Sequence, residues 1–283
     1  MGTVTRIWEG FPQSQRRPRV TVIIPALNEA LNLPHVAARM PGDIDEIVFV
    51  DGNSVDHTAE VARDLWPDAI HIQQTRRGKG NALACGFAVA SGDIIVMIDA
   101  DGSTDPAEIP RFVAALVSGA DFAKGSRFIQ GGGSSDITGF RRLGNWGLNT
   151  WVNLLFGTRY TDLCYGYNAF WRHCLRAIRL PDVEDLEPQW GDGFEIETMI
   201  NVRVAASKLQ IAEVHSFERE RIYGVSNLNA VTDGFRVLRT IHREFAHAHE
   251  RDGIRRLRRR PVHAATPAPI AIHRRVPVAE QAS

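Results

Sequence analysis

The first half of the chain alternates short apolar runs with helical patterns. The runs are nearly continuous and rich in β-branched residues, as strands buried on both faces of a parallel sheet are. They cover residues 20–24, 47–50, 69–72 and 94–98, and helical spacing follows them over 29–40, 56–66, 79–90 and 106–118. This alternation predicts right-handed crossovers and an α/β fold: a doubly wound, Rossmann-like, mostly parallel sheet sandwiched by helices.

The second half is less regular. It predicts helices over residues 143–156, 194–206 and 229–249, and strands over 167–171 and 209–214. The last helix is amphipathic, because apolar residues recur along one of its faces. We expect one domain over residues 19–250, a flexible arm before it (1–18) and a disordered, arginine-rich and proline-containing tail after it (251–283).

The formal net charge of zero conceals an uneven distribution. Residues 251–283 hold eight arginines against Asp252 and Glu280, so the tail carries a charge of +6 and the remainder −6. A basic tail indicates an anionic partner, either a membrane or a nucleic acid. Aromatic residues are not interleaved among the arginines, so we do not expect a nucleic acid.

Composition and cysteine usage indicate a cytoplasmic protein. A hydrophobic fraction of 44% and a charged fraction of 23% are typical of soluble domains. Cys85, Cys164 and Cys174 have neither metal-site nor disulfide spacing, which fits a reducing compartment. No apolar run reaches the roughly 18 residues of a membrane span. We therefore expect a soluble protein, or one peripheral at the inner face of the cell membrane.

Polar segments follow three of the predicted strands, at residues 25–29, 51–58 and 99–103. Ligands of open α/β sheets bind outside the carboxyl ends of the strands, so these segments predict one shared site. Asp56 fits either this site or the N-cap of the next helix. Asp105, which precedes Pro106, is interpreted as an N-cap with proline in the first helical turn.

Asp99 and Asp101 are the strongest candidates for chemistry. Two carboxylates at positions i and i+2 after an apolar strand repel each other unless a cation lies between them or water solvates them. Mg²⁺ and Mn²⁺ take oxygen ligands and are commonly completed by substrate phosphates. The pair therefore predicts a site for Mg²⁺ or Mn²⁺.

The segment Arg76-Arg77-Gly78-Lys79-Gly80-Asn81 precedes a predicted helix. Glycines and basic residues at a helix N-terminus suit a diphosphate, although a solvated basic loop has the same composition. The segment has the spacing of neither a Walker A loop nor a dinucleotide-binding fingerprint. A kinase or a dinucleotide-dependent enzyme is therefore not expected.

Taken in order, these motifs resemble those of family 2 glycosyltransferases with the GT-A fold, and within them the dolichol- or polyprenyl-phosphate mannosyltransferase group. The resemblance covers about residues 20–230 and includes Gly125-Ser126-Arg127, the segment from Asp162 through Gly166 to Arg172, the pair Glu195 and Glu197, and Tyr223-Gly224-Val225-Ser226. It implies a nucleotide-sugar-dependent, inverting hexosyltransferase.

The resemblance also implies roles by position. Residues that would bind the nucleotide-sugar are Pro25, Ala26, Asn28, Glu29, Asp51, Asn53, Lys79, Asp99, Ala100 and Asp101. Asp99 and Asp101 would also hold the metal. The third ligand position, usually glutamine in this group, is Ser103, and the group's lysine before leucine is Asn227.

The acceptor side of the predicted site is basic. Arg127, Arg141, Arg142 and Ser226 are the candidates for binding an acceptor phosphate, and surface salt bridges are an equal alternative for the arginines. A hydroxyl acceptor would need a general base. Asp192, Glu195 and Glu197 are candidates; Glu195 and Glu197 diverge on a helix, and the resemblance favours Glu197. The predicted catalytic residues are Asp101, Glu197 and Arg127.

The Trp- and Leu-rich helix 143–156 fits either core packing or a lipid-facing surface. Arg236, Arg239 and Arg243 with the basic tail fit either an anionic bilayer or a solvated surface. We expect transfer of a hexose from a GDP-mannose or UDP-glucose type donor to polyprenyl phosphate. The alternatives are transfer to a soluble hydroxyl acceptor, a nucleotide-sugar-binding protein and a nucleotidyltransferase.

Overall fold

The computed structural model describes residues 6–8, 16–224 and 230–258, with only the backbone at 230–233 and 251–258. The strands in this part of the chain are β1 (Val20–Ala26), β2 (Glu46–Asp51), β3 (Ile70–Gln73), β4 (Ile94–Met97), β5 (Phe122–Ser126), β6 (Gly133–Ser134), β7 (Asn168–Trp171), β8 (Ile211–His215) and β9 (Phe217–Glu218). The helices are α1 (Leu33–Ala37), α2 (Thr58–Leu65), α3 (Lys79–Val89), α4 (Ile109–Val117), α5 (Gly139–Phe156), α6 (Leu175–Ile178), α7 (Glu195–Ala206) and α8 (Ala230–Arg258). Single 3-10 turns, Pro106–Glu108 and Arg172–Cys174, precede α4 and α6.

Seven strands form one sheet in the order β3-β2-β1-β4-β7-β5-β8. All neighbours pair in parallel except β7, which is antiparallel to both β4 and β5. β6 and β9 pair separately. The predicted α/β fold with a mostly parallel sheet is confirmed. Because β1 lies between β2 and β4, the loops after these three strands open at the same edge.

Helices cover both faces of the sheet, since side chains alternate along each strand. On β1, Val22 and Ile24 belong to the core with α1, α2 and α4, whereas Ile23 belongs to the core with α3, α6 and α7. A third cluster joins α5, α7 and α8 through residues such as Val152 and Ile241. The two main cores fix the sheet edge on which the candidate site lies.

The structure describes parts of both predicted end segments. Within the predicted flexible arm, Ile7 is buried in the first core, and its N–H donates to both carboxylate oxygens of Asp43 at 2.8 and 3.0 Å. The buried side chain of Ile7 and its backbone hydrogen bonds to the Asp43 carboxylate fix this part of the arm. The last helix continues to Arg258, into the segment 251–283 that the sequence predicts to be disordered. Among the described residues, no helix has the length and hydropathy of a bilayer span.

Candidate active site

The loops after β1 and β2 are tied into one unit. Asn28 and Asn53 both adopt left-handed backbone conformations, with φ of 58° and 65°, which asparagine tolerates better than most residues. The Asn28 N–H donates to Ser54 Oγ at 3.0 Å, and Asn28 Oδ1 accepts the Val55 N–H at 2.9 Å. Asn28 and Asn53 therefore shape the loops that surround Asp51.

Two carboxylates line this part of the site. Asp51 ends β2, and among the described residues its carboxylate accepts only long hydrogen bonds, at 3.3 Å, from the Ser54 N–H. Glu29 accepts from Asn32 Nδ2 at 2.6 Å and from Arg221 Nη1 at 2.9 Å. Burial raises the pKa of Glu29 more than these two donors lower it. Asp51 thus retains capacity to accept further hydrogen bonds, whereas Glu29 is already paired.

Asp56 and Asp105 serve the scaffold. Asp56 accepts hydrogen bonds from the backbone and hydroxyl of Thr58, at the start of α2, and from the Ala30 N–H. Burial raises its pKa, but these hydrogen bonds outweigh burial and hold the pKa below its usual range. Asp105 caps the turn before α4 by accepting the Ala107 N–H at 3.0 Å, as the sequence predicted. For Asp56, of the two roles the sequence left open, these contacts give the structural one.

Lys79 joins the first carboxylate of the predicted pair to a distant helix. Its Nζ lies 2.5 Å from Asp99 Oδ1 and 2.5 Å from Glu197 Oε1. Burial lowers the pKa of Lys79, but the two carboxylates raise it further and hold it above its usual range. Burial is the largest effect on the pKa of Asp99 and raises it, and repulsion from Glu197 and Asp101 raises it as well. The attraction of Lys79 lowers this pKa only in part, so that it lies at about 6. One charged cluster thus contains Lys79 at the start of α3, Asp99 just after β4 and Glu197 in α7.

Asp101 is paired with a residue that the sequence analysis missed. Its Oδ2 lies 3.1 Å from Arg221 Nη2, and its Oδ1 accepts the Ser103 N–H at 2.9 Å. Because Arg221 also contacts Glu29, it links the loop after β4 to the loop after β1. Gly102 has φ of +80°, and a Cβ there would approach Ile222 Cδ1 to 2.8 Å. The only available signal for Arg221 was its place two residues before the segment that begins at Tyr223.

The glycines beside Lys79 have a packing role. A Cβ on Gly78 would lie 2.1 Å from the carbonyl oxygen of Asp192, and one on Gly80 would lie 1.7 Å from that of Gly191. The Gly80 N–H donates to the Asp192 carbonyl at 2.7 Å. The close approach of residues 191–192 therefore requires glycine at both positions, independently of any bound diphosphate.

Of the three candidate bases, only Glu197 reaches the Asp99 cluster. Asp192 is buried in a bidentate pair with Arg76, at 2.8 Å for both contacts. Glu195 accepts the backbone N–H groups of Gly191 and Gly193. The predicted divergence of Glu195 and Glu197 thus matches their contacts.

Gly166 lets the backbone approach Glu197, because a Cβ there would lie 2.3 Å from Glu197 Oε1. The neighbouring carbonyl of Tyr165 accepts a hydrogen bond from Lys124 Nζ at 2.5 Å. Lys124 is fully buried, and burial lowers its pKa more than Asp162 and other carboxylates raise it. The buried ammonium of Lys124, unrecognised from the sequence, holds the segment that packs against Glu197.

The predicted acceptor-binding arginines are only partly brought together. Arg127 is buried; its Nε and Nη2 bind Asp162 at 2.7 and 2.9 Å, and its Nη1 binds Glu218 at 2.9 Å. Arg127 and Arg142 both lie near the ring of Phe128, at 5.7 and 5.9 Å from its centre. Arg141 instead pairs with Asp136 at 2.8 Å. The fourth candidate, Ser226, lies outside the described residues.

The donor chemistry of Asp99 and Asp101 fits Mg²⁺ or Mn²⁺. Within the described residues, no group of three or more histidine, cysteine, aspartate or glutamate side chains is arranged to hold a metal by itself. Mg²⁺ commonly takes only one or two protein carboxylates and completes its coordination with substrate phosphates and water. Lys79 and Arg221 contact these two carboxylates but also Glu197 and Glu29, so four carboxylates share two cations in this cluster.

Comparisons with known proteins identify the family of the chain. The sequence profile described as Glycosyl transferase family 2 matches residues 21–186. Polyprenol monophosphomannose synthase of Mycolicibacterium smegmatis is 32% identical over 221 residues, covering 75% of this chain and 81% of that protein. Undecaprenyl-phosphate mannosyltransferase of Micrococcus luteus is 32% identical over 220 residues, covering 75% and 88%.

A solved structure is similar in fold. Glucosyl-3-phosphoglycerate synthase from Mycobacterium tuberculosis, in complex with Mn²⁺, UDP-glucose and phosphoglyceric acid, has a TM-score of 0.63 and 21% identity, covering 85% of this chain and 82% of that one. At this identity the likeness concerns the fold alone, which is GT-A. The chain therefore belongs to glycosyl transferase family 2, and it is a nucleotide-sugar-dependent glycosyltransferase with the GT-A fold.

Proposed function

We propose that the protein transfers a hexose, with inversion, from a GDP-mannose or UDP-glucose type donor to a polyprenyl-phosphate acceptor. The observation that carries the proposal is the convergence of Lys79, Asp99 and Glu197 beside the Asp101–Arg221 pair. This arrangement offers both carboxylates for a metal and cations for a diphosphate. The lipid acceptor is supported by the names of the relatives from Mycolicibacterium smegmatis and Micrococcus luteus, which act on polyprenyl substrates.

The donor would lie across the loops that end β1, β2 and β4. We assign the base and ribose to the first two loops and the diphosphate to the third and to the start of α3; the residues are Pro25, Ala26, Asn28, Glu29, Asp51, Asn53, Lys79, Asp99, Ala100 and Asp101. Asp99 and Asp101 would hold Mg²⁺ or Mn²⁺, with Ser103 as a candidate third ligand. The bound ion stabilises the negative charge of the leaving diphosphate.

The transfer itself needs few protein groups when the acceptor is a phosphate. An acceptor phosphate oxygen forms a bond to the anomeric carbon on the face opposite the diphosphate, and the nucleoside diphosphate leaves with the electron pair of the broken C–O bond. The acceptor oxygen is already anionic, so no general base is required. Lys79 would move from its carboxylate partners towards the developing charge on the diphosphate.

The acceptor phosphate would meet the basic side of the site. Arg142 is exposed beside Phe128 and is the arginine we expect to contact it directly. Arg127, Arg141 and Ser226 complete the proposed acceptor set, with Arg127 acting through its hold on Asp162. A lipid acceptor also implies a peripheral position at the inner face of the cell membrane.

A soluble hydroxyl acceptor is the second candidate. The position of Glu197 supports it, because a carboxylate in contact with Lys79 and close to Asp99 is suitably placed to take a hydroxyl proton. A screen of GDP-mannose, UDP-glucose and related donors with Mn²⁺ distinguishes the two. We expect the transfer product only when polyprenyl phosphate is added; transfer to a sugar or phosphoglycerate without the lipid would favour the second candidate.

The role of Asp51 gives a prediction on donor binding. Asp51→Ala removes a charged acceptor, and a hydrogen bond to a charged group contributes about 1.5–3 kcal/mol. We therefore expect the Kd for the cognate nucleoside diphosphate to rise about 10- to 100-fold, with a smaller effect on turnover of bound donor. Isothermal titration calorimetry measures the Kd. Asp64→Ala, on the exposed face of α2, is the matched control. An unchanged Kd in Asp51→Ala would remove Asp51 from the donor site.

A further inference from the structure

Helix α5 buries two asparagines together with Val152 and leaves large apolar side chains on its outer side. Asn145 and Asn149 are 5% and 6% exposed, whereas Phe140, Leu143, Trp146 and Leu154 are 65–74% exposed among the described residues. A surface helix of a soluble protein normally shows the opposite arrangement. The outward side chains therefore call for a partner that the described part of the chain does not supply.

The buried asparagines explain why the helix cannot simply roll over. Asn149 Oδ1 accepts the Leu163 N–H at 2.7 Å, and its Nδ2 donates to the carbonyl of Thr161. Asn145 Nδ2 donates to Asp162 Oδ1 at 3.2 Å. These hydrogen bonds hold residues 161–163, which lead to Gly166, the glycine that packs against Glu197. The orientation of α5 is thus fixed by the same polar layer that supports the site.

The exposed side chains form one continuous face. At 100° per residue, Leu143 and Leu154 lie within about 20° of each other, with Phe140 on one flank and Trp146 on the other. From Phe140 to Leu154 the face extends about 21 Å along the helix. We call these four residues the α5 apolar face; it is long enough to lie along a surface and too short to cross a bilayer.

The charges around this face select its partner. Residues 139–160 contain no aspartate or glutamate but three arginines, of which Arg142 and Arg159 are exposed. A symmetric contact with a second copy would bring these like charges together, which is unfavourable. An anionic lipid surface satisfies both the apolar side chains and the arginines, and tryptophan is favoured at the lipid–water boundary.

We propose that the α5 apolar face docks on an anionic lipid bilayer, with α5 lying in the plane of the interface. The proposal rests on the proposed polyprenyl-phosphate acceptor, whose phosphate would be presented at that interface. It places the membrane on the outer side of α5 and the segment 161–166, which packs against Glu197, on the inner side. The lipid phosphate would then reach the site without the enzyme leaving the surface.

The test uses the full chain and vesicles of phosphatidylcholine with or without phosphatidylglycerol. Leu143→Glu/Leu154→Glu adds two negative charges to the α5 apolar face, and both positions are exposed, so folding should be retained. We expect sedimentation with anionic vesicles at low salt, at least tenfold weaker binding in this double variant, and weaker binding at high salt because charges are screened. Leu186→Glu, at another exposed leucine, is the matched control and should bind as the unmodified chain does.

Several outcomes would overturn the docking proposal. Failure of the unmodified chain to bind anionic vesicles at low salt is one. Equal binding by the double variant would assign docking to another part, such as residues 251–283. A dimer that the double variant splits into monomers, measured by light scattering, would assign the face to a second copy. Donor hydrolysis without vesicles, which the double substitution should leave unchanged, reports separately on the proposed function.

Discussion

Replacing Asp101 with alanine should reduce glycosyl transfer at least about a hundredfold while the protein stays folded. Asp101 offers a carboxylate to the metal and diphosphate, and loss of one group that stabilises charge in a transition state costs about 2.7–4 kcal/mol of barrier. Its ion pair with Arg221 is partly exposed, with side-chain exposures of 18% and 26%. Such pairs contribute about 0–1 kcal/mol to stability, so the folded protein should persist.

The control for this prediction is Arg221→Gln, which breaks the same ion pair but keeps the carboxylate. If Asp101 acts as a metal ligand, Mn²⁺-dependent donor binding, measured by calorimetry, should be lost in Asp101→Ala and retained in Arg221→Gln. Equal effects of the two substitutions on metal dependence would mean that Asp101 acts mainly by positioning Arg221. Near-normal turnover of Asp101→Ala, or full activity in EDTA, would contradict the metal role.

The sequence predicted the positions of the polar loops after β1, β2 and β4 because these loops follow strands directly. Three strands are largely apolar runs with clear ends: Val20–Ala26, Glu46–Asp51 and Ile94–Met97. The end of each strand therefore gives the position of the polar loop that follows it, at the carboxyl edge of the sheet. Contacts between residues far apart in the sequence could not be predicted from strand ends. Arg221 meets Asp101 and Glu29 only after the chain has returned across the sheet, and no spacing rule reports that return.

Other differences have local physical causes. Helix α1 is shorter than the predicted 29–40, because Asn28 is left-handed and the Asn32 N–H bonds to the Glu29 carbonyl in a turn. Strand β5 escaped prediction because Lys124 and Gly125 interrupt its apolar pattern, although Lys124 is buried by bonding to carbonyl oxygens. For α5, composition alone left core and surface roles open, and the helix proved to have both: Val152 packs in a core beside the buried Asn145 and Asn149, whereas Leu143 and Trp146 are exposed.

Arg127→Met should have the largest effect on stability of the substitutions considered. The sequence and the resemblance gave Arg127 a catalytic and acceptor-binding role, but its guanidinium is engaged by Asp162 and Glu218. Asp162 is fully buried, so removing Arg127 would leave its carboxylate without its ion-pair partner. Breaking a buried ion pair in this way costs about 3–5 kcal/mol. Urea unfolding should therefore show a loss of that size in the free energy of unfolding.

Two further variants separate a structural role of Arg127 from direct contact with the acceptor. Arg127→Met/Asp162→Asn removes both charges and should recover part of the lost stability, because no isolated charge remains buried. Arg141→Ala breaks the more exposed pair with Asp136 and should change stability by about 1 kcal/mol at most. If Arg127→Met instead unfolds like the unmodified protein but has a raised KM for the acceptor, Arg127 contacts the acceptor directly. The expected loss of stability, with partial recovery in the double variant, would make Arg127 the residue that holds the Asp162–Gly166 segment against Glu197.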